Sequence, residues 1–149
     1  VLSYLIFLLI VPHLYFSIQS LQIDNRDPGI DEACSYLLTQ PHGVTASWWD
    51  NGYEIQYKTG NPTICDGSTS KLATIRLLSE AYCFSDKQDN LKTLQVNYFI
   101  VTKNDAKKPN IWTLNNFNTI PEYTQNLLEG VAPWPILYST ENCIVYKIS

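Results

Sequence analysis

Alternation of apolar and polar residues constrains this chain more than any other feature of its sequence. Over residues 93–101, Leu94, Val96, Tyr98 and Ile100 fall on one side and Thr93, Gln95 and Asn97 on the other. This is the period-2 pattern of a strand with one buried face. Tyr53-Glu54-Ile55-Gln56-Tyr57-Lys58 repeats it. Further strands are predicted at 72–78, 81–85, 111–114, 135–139 and 143–148, with turn formers between them at Asp50-Asn51-Gly52, Thr59-Gly60-Asn61-Pro62, Asp66-Gly67, 86–90 and 103–109. Roughly six to eight short strands at about ten-residue spacing predict a mainly β fold, either a sandwich or an antiparallel up-and-down β-barrel. The barrel is preferred because closure removes the edge strands and encloses room for one small ligand. A short helical turn is expected within 119–130, where Pro121 stands at a helix start.

The 149 residues, 45% apolar, suffice for one domain with a single core. A net charge of -4 with scattered Lys and Arg leaves no basic stripe, so nucleic acid is not an expected partner. No formal charge occurs from Val1 to Ile23, and the apolar run beginning at Leu2 has the length of a secretory h-region. Pro12, His13, Ser17, Gln19, Ser20 and Gln22 dilute its second half, which favours a signal peptide over residues 1–20 against a membrane span. Cleavage is expected between Ser17 and Ser20, leaving residues 21–149 as one secreted, extracellular domain. The chain contains no Met, and a basic stretch before the h-region is missing, so the sequence is expected to begin after the true start.

Cys34, Cys65, Cys83 and Cys143 form an even set, and in a secreted chain two disulfides are the default; the three possible connectivities stay open. No CxxC pair is present and His42 is the only histidine after residue 20, which argues against a zinc site. No metal or cofactor is expected. Asn61-Pro62-Thr63 has the proline that forbids N-glycosylation.

Ser47-Trp48-Trp49 followed by Gly52-Tyr53-Glu54-Ile55 and Cys65 resembles the opening strand of a lipocalin, with Ala46 where the family has Gly and Asp50-Asn51-Gly52 interrupting the strand. Ile136-Leu137-Tyr138-Ser139-Thr140-Glu141-Asn142-Cys143-Ile144-Val145-Tyr146 is similar to the late strand of tick salivary lipocalins, the histamine-binding group among them. The resemblance implies a lipocalin-like barrel truncated before a C-terminal strand and helix. It also implies that Cys65 and Cys143 pair with cysteines beyond residue 149, with Cys34 and Cys83 additional.

Candidate ligand-binding residues are Trp49, Tyr53, Ile55, Tyr57, Tyr98, Trp112, Trp134 and Tyr138, aromatic and apolar groups that could line a cavity and orient a ligand through a hydroxyl. The competing reading is cross-strand packing, and for Trp48 a core role is favoured. Glu54, Glu80, Glu122, Glu129 and Glu141 are the carboxylates able to meet a cationic amine, although solvent exposure is the usual fate of each. Lys107-Lys108-Pro109 reads as a charged, solvated loop. With no Ser, His and Asp arrangement, no catalytic residues and no enzyme activity are expected.

The function these readings imply is a monomeric, secreted, salivary carrier that sequesters a small molecule, a biogenic amine or a lipid mediator, with no membrane partner. The alternative is a protein-binding antagonist that meets a host protease or platelet receptor through loops at the barrel mouth. A non-lipocalin sandwich is a third architecture compatible with the pattern.

Overall fold

The computed structural model describes residues 27–68 and 71–149; the expected signal peptide lies outside the described residues. Helix α1 (Pro28–Leu37) begins where Asp27 Oδ1 accepts from the Gly29 N–H at 3.0 Å, with Pro28 in the first turn. Ile30, Ala33, Cys34 and Leu37 form its buried stripe. The two-residue strand β1 (Thr45–Ala46) leads to a 3-10 turn, Trp49–Asn51, which runs directly into α2 (Gly52–Thr59). Gly60, at φ 72, ends α2 in the left-handed conformation that glycine adopts without penalty. After α3 (Leu72–Cys83) and the short α4 (Asp89–Thr93) come β2 (Tyr98–Thr102) and a second 3-10 turn, Lys103–Lys107. The chain closes with α5 (Asn110–Thr113), α6 (Glu122–Leu128), β3 (Ile136–Ser139) and β4 (Cys143–Lys147). The helical turn expected after Pro121 is α6, with Pro121 as its N-cap.

Among the described residues the strands form one four-stranded sheet in the order β1-β2-β4-β3. β1 runs parallel to β2, with Thr45 beside Tyr98, and β4 runs antiparallel to both β2 and β3. This open mixed sheet replaces the expected mainly β up-and-down barrel: the fold is a small α/β domain. Alternate residues of β2 serve two cores. Tyr98 and Ile100, with Cys143 and Val145 of β4, pack on α1 and on Ile55 of α2. Phe99 and Val101, with Ile144 and Tyr146, pack on Leu78, Ala81 and Tyr82 of α3 and on Leu127 of α6. Tyr82, Trp134 and Tyr146 surround Phe99, with ring centroids 4.9, 5.8 and 6.3 Å away, and the Tyr82 and Trp134 contacts are edge-on. A sheet covered by helices on both faces has no half-exposed strand at its centre, so β2 is buried at every residue.

Several expected strands are helices. Residues 53–58 belong to α2, where Gly52, Ile55 and Thr59 face inward at helical spacing. Residues 72–78 and most of 81–85 belong to α3, and 111–114 overlaps α5. The expected strand 93–101 begins only at Tyr98; Thr93 ends α4, and Gln95 sits at φ 58 in the turn between them. The strands expected at 135–139 and 143–148 match β3 and β4 closely.

Candidate functional site

The two 3-10 turns, one before α2 and one after β2, stand on either side of a polar cleft of about 380 Å³. Asp27, Asp50, Asn51, Glu54, Lys107 and Lys108 line most of it. Each turn is fixed from below. Trp48 is fully buried, and its ring meets Tyr82 edge-on at 5.9 Å. Asn51 is buried and donates from Nδ2 to Ser47 Oγ at 3.1 Å. Gly52 passes so close to the following loop that a Cβ would stand 2.1 Å from the Cys65 carbonyl oxygen.

On the opposite side, Thr102 and Asp105 form a capping box, in which Asp105 Oδ2 accepts from the Thr102 N–H at 3.0 Å. Thr102 Oγ1 in turn donates to Asp27 Oδ2 at 2.6 Å, which joins the start of α1 to the end of β2. Asp105 is wholly buried and receives a hydrogen bond from Tyr82 Oη at 3.1 Å; its Oδ1 faces Lys108 Nζ at 3.3 Å without an aligned hydrogen bond. Lys108 also donates to Asp50 Oδ1 at 2.9 Å. Contacts therefore run in a closed ring from Trp48 through Tyr82, Asp105 and Lys108 to Asp50, two residues from the start.

Burial pushes the Asp105 carboxyl above its ordinary range, against the opposing pull of Lys108 and the hydrogen bonds from Thr102 and Tyr82. Burial also pulls Lys108 down, but the carboxylates of Asp105 and Asp50 outweigh it and raise the ammonium above its ordinary value. Tyr82 is held well above its ordinary value by burial and then by Asp105, so it keeps its proton and donates it. Chemically, the cleft offers a partly exposed carboxylate, Asp50, held in place by an ammonium group, beside the side-chain amides of Asn51 and Asn104. That arrangement is chemically able to accept hydrogen bonds from hydroxyl and amide groups. Among the described residues, no group of three or more His, Cys, Asp and Glu is placed to hold a metal ion.

The ligand-binding residues expected from the sequence do not surround a common cavity. Ile55, Tyr98, Trp112 and Trp134 are core residues, and Tyr98 Oη donates to the Pro41 carbonyl at 2.8 Å. Tyr138 stacks on Tyr36 at 4.8 Å. Tyr53 and Tyr57 point to solvent on the outer face of α2, with Tyr57 90% exposed. Trp49 is half-buried against the larger core, beside the cleft. Glu54 pairs with Lys58 at 2.6 Å, Glu80 accepts from Asn90 Nδ2 at 3.1 Å, and Glu122, Glu129 and Glu141 are exposed. Cys34, Cys65, Cys83 and Cys143 are buried free thiols, with Cys34 and Cys65 pushed up to about 12 by burial.

Sequence reasoning passed over Asp50, Asp105 and Lys108. The Lys107-Lys108-Pro109 segment, read as a solvated loop, holds the lysine that bridges the two turns. Two signals in the sequence pointed to it: the Thr102-x-x-Asp105 capping spacing and the Asp105-x-x-Lys108 ion-pair spacing.

The family model of the STT3/PglB/AglB core domain matches residues 41–133, a stretch that contains both cleft-lining turns. Among solved structures, the fold is similar to the C-terminal globular domain of an oligosaccharyltransferase from Archaeoglobus fulgidus. The TM-score is 0.64 at 11% identity, over 80% of this chain and 96% of that one. No curated protein matches the sequence. These findings overturn the resemblance to tick salivary lipocalins, and with it the sequestering of an amine or lipid in a barrel: the Trp48-Trp49 pair opens a turn and a helix, and the run around Cys143 is an internal strand of an open sheet. With more than half of its length matched, the chain belongs to the STT3/PglB/AglB core domain family.

Proposed function

We propose that this chain is the acceptor-binding globular part of an oligosaccharyltransferase, and that the cleft between the two 3-10 turns receives the acceptor polypeptide. The observation that carries the reading is the family match across both turns, residues 49–51 and 103–107, which the fold brings together over one polar cleft. Oligosaccharide attachment to polypeptide takes place at Asn-X-Ser/Thr, where the acceptor presents a short amide and a hydroxyl. Asp50 and Asn104 are suited to accept from or donate to such groups. The cleft binds and orients without carrying out the chemistry: Asp50 and Lys108 neutralise each other, and Asp105 is sealed beneath them, so none is a free base or nucleophile. The domain then faces the compartment that secretory polypeptides enter.

The test is oligosaccharide transfer by the full-length enzyme to a fluorescent Asn-X-Thr peptide. Asp50→Ala is expected to weaken use of the peptide about tenfold or more, chiefly through KM, as the loss of a hydrogen bond to a charged group implies. Tyr57→Ala, on the exposed outer face, serves as the control and leaves transfer unchanged. Equal transfer by Asp50→Ala and the unsubstituted enzyme would remove the cleft from acceptor binding.

A further inference from the structure

Cys34 lies in the second half of α1 and Cys143 opens β4; both are buried in the core that α1 shares with the sheet. Helix and strand are locked together around them. Gly29 approaches the turn before β4 so closely that a Cβ would sit 2.5 Å from the Asn142 carbonyl oxygen. Glu32 accepts from Asn142 Nδ2 at 2.7 Å and from Thr140 Oγ1. Cys34 stands two residues beyond Glu32 on α1 and Cys143 directly follows Asn142, so the two thiols flank this locked contact within one core. A disulfide needs a Cα separation of about 4.4–6.8 Å, and the Gly29 and Glu32 contacts hold α1 directly against the turn that leads into Cys143. Cys65 and Cys83 belong to the other core, across the sheet.

We propose that Cys34 and Cys143 are a redox pair that closes to a disulfide, stapling α1 to β4. The S–S bond forms as two hydrogens, two protons and two electrons, pass to an external disulfide such as glutathione disulfide, which is reduced to two thiols. Burial keeps both thiols protonated in the folded chain, so the exchange takes place as α1 docks during folding. Because Asp27 caps α1 and lines the cleft, the staple holds one wall of the cleft in place.

The experiment is peptide mapping of the full-length protein, refolded with glutathione disulfide, alkylated in denaturant and digested without reductant. A peptide that links Cys34 to Cys143 and disappears with dithiothreitol is expected. Alkylation at these two positions should fall at least tenfold relative to a reduced sample, with Cys65 and Cys83 still fully alkylated. Equal alkylation of all four cysteines, or a link through Cys65 or Cys83, overturns the proposal. The mapping uses the unsubstituted chain, so a variant that fails to fold cannot obscure it. The Cys65→Ala, Cys83→Ala double variant should give the same cross-linked peptide.

Discussion

Tyr82 Oη donates to Asp105 Oδ2 at 3.1 Å, a hydrogen bond that joins the last turn of α3 to the turn beneath the cleft. Both residues are fully buried, so water cannot replace the donor if it is removed. Tyr82→Phe keeps the ring against Phe99 and Trp48 but strips the carboxylate of one partner. A loss of about 1–3 kcal/mol is expected in urea unfolding, the cost of leaving a buried acceptor short of a donor. A loss near zero would mean that the carboxylate is protonated and finds its partner elsewhere.

Lys108→Met should cost more, about 3 kcal/mol, because it leaves the Asp105 carboxylate buried with no cation beside it. The second substitution, Asp105→Asn, removes that stranded charge and should recover much of the loss. A double-mutant cycle measures the coupling directly; strictly additive effects would show that the two groups do not sense each other.

The pH dependence of Asp105 has the opposite sign to that of most carboxylates. Its folded value lies above the ordinary 3.8, so the folded chain takes up this proton before the unfolded chain does. Its contribution is greatest below 3.8 and declines as pH rises through the higher folded value. The stability of the unsubstituted protein minus that of Asp105→Asn should therefore grow as pH falls from neutral toward 3.8. A difference that is flat across that window would contradict burial as the dominant influence. Glu32 runs the other way: hydrogen bonds from Thr140 and Asn142 hold it below its ordinary 4.5, so its contribution is present above 4.5 and lost as pH falls through the lower folded value.

Gly52→Ala places a Cβ against backbone, 2.1 Å from the Cys65 carbonyl oxygen and 2.6 Å from the Asp66 Cα. Neither atom can move as a side-chain tip would, so the turn bearing Asp50 must shift. About 3 kcal/mol of destabilisation is expected by thermal or urea unfolding. Gly67→Ala, whose Cβ would meet only the Tyr53 ring at 3.2 Å, should be tolerated within about 1 kcal/mol.

What the sequence revealed depended on how many faces of each element are buried. β3 and β4 were legible because apolar runs at Ile136 and Cys143 lie between clear turn formers. The segment 53–58 was ambiguous: six residues are too few to separate a period of 2 from one of 3.6. The signals that decide it are the Glu54 and Lys58 pair and the Gly60 terminus, and both could have been read. β2 misled differently. Flanked by helices on both faces, it carries apolar side chains at successive positions 98–101, while the alternation upstream belongs to a helix end and a turn. The cleft was hidden because its residues come from three separate segments, Asp50 and Lys108 lying 58 positions apart, and a lysine beside another lysine and a proline looks like solvent-facing charge. Only the fold places Lys108 between Asp50 and Asp105.

The ring of contacts from Trp48 to Asp50 also bears on how a ligand would be held. Its members are immobilised when the domain folds, so a ligand entering the cleft would meet donors and acceptors already oriented and would cost little freedom of the protein side chains on binding. Selectivity in a cleft so built would reside in how fast mismatched ligands leave, since a rigid wall cannot reshape itself around them.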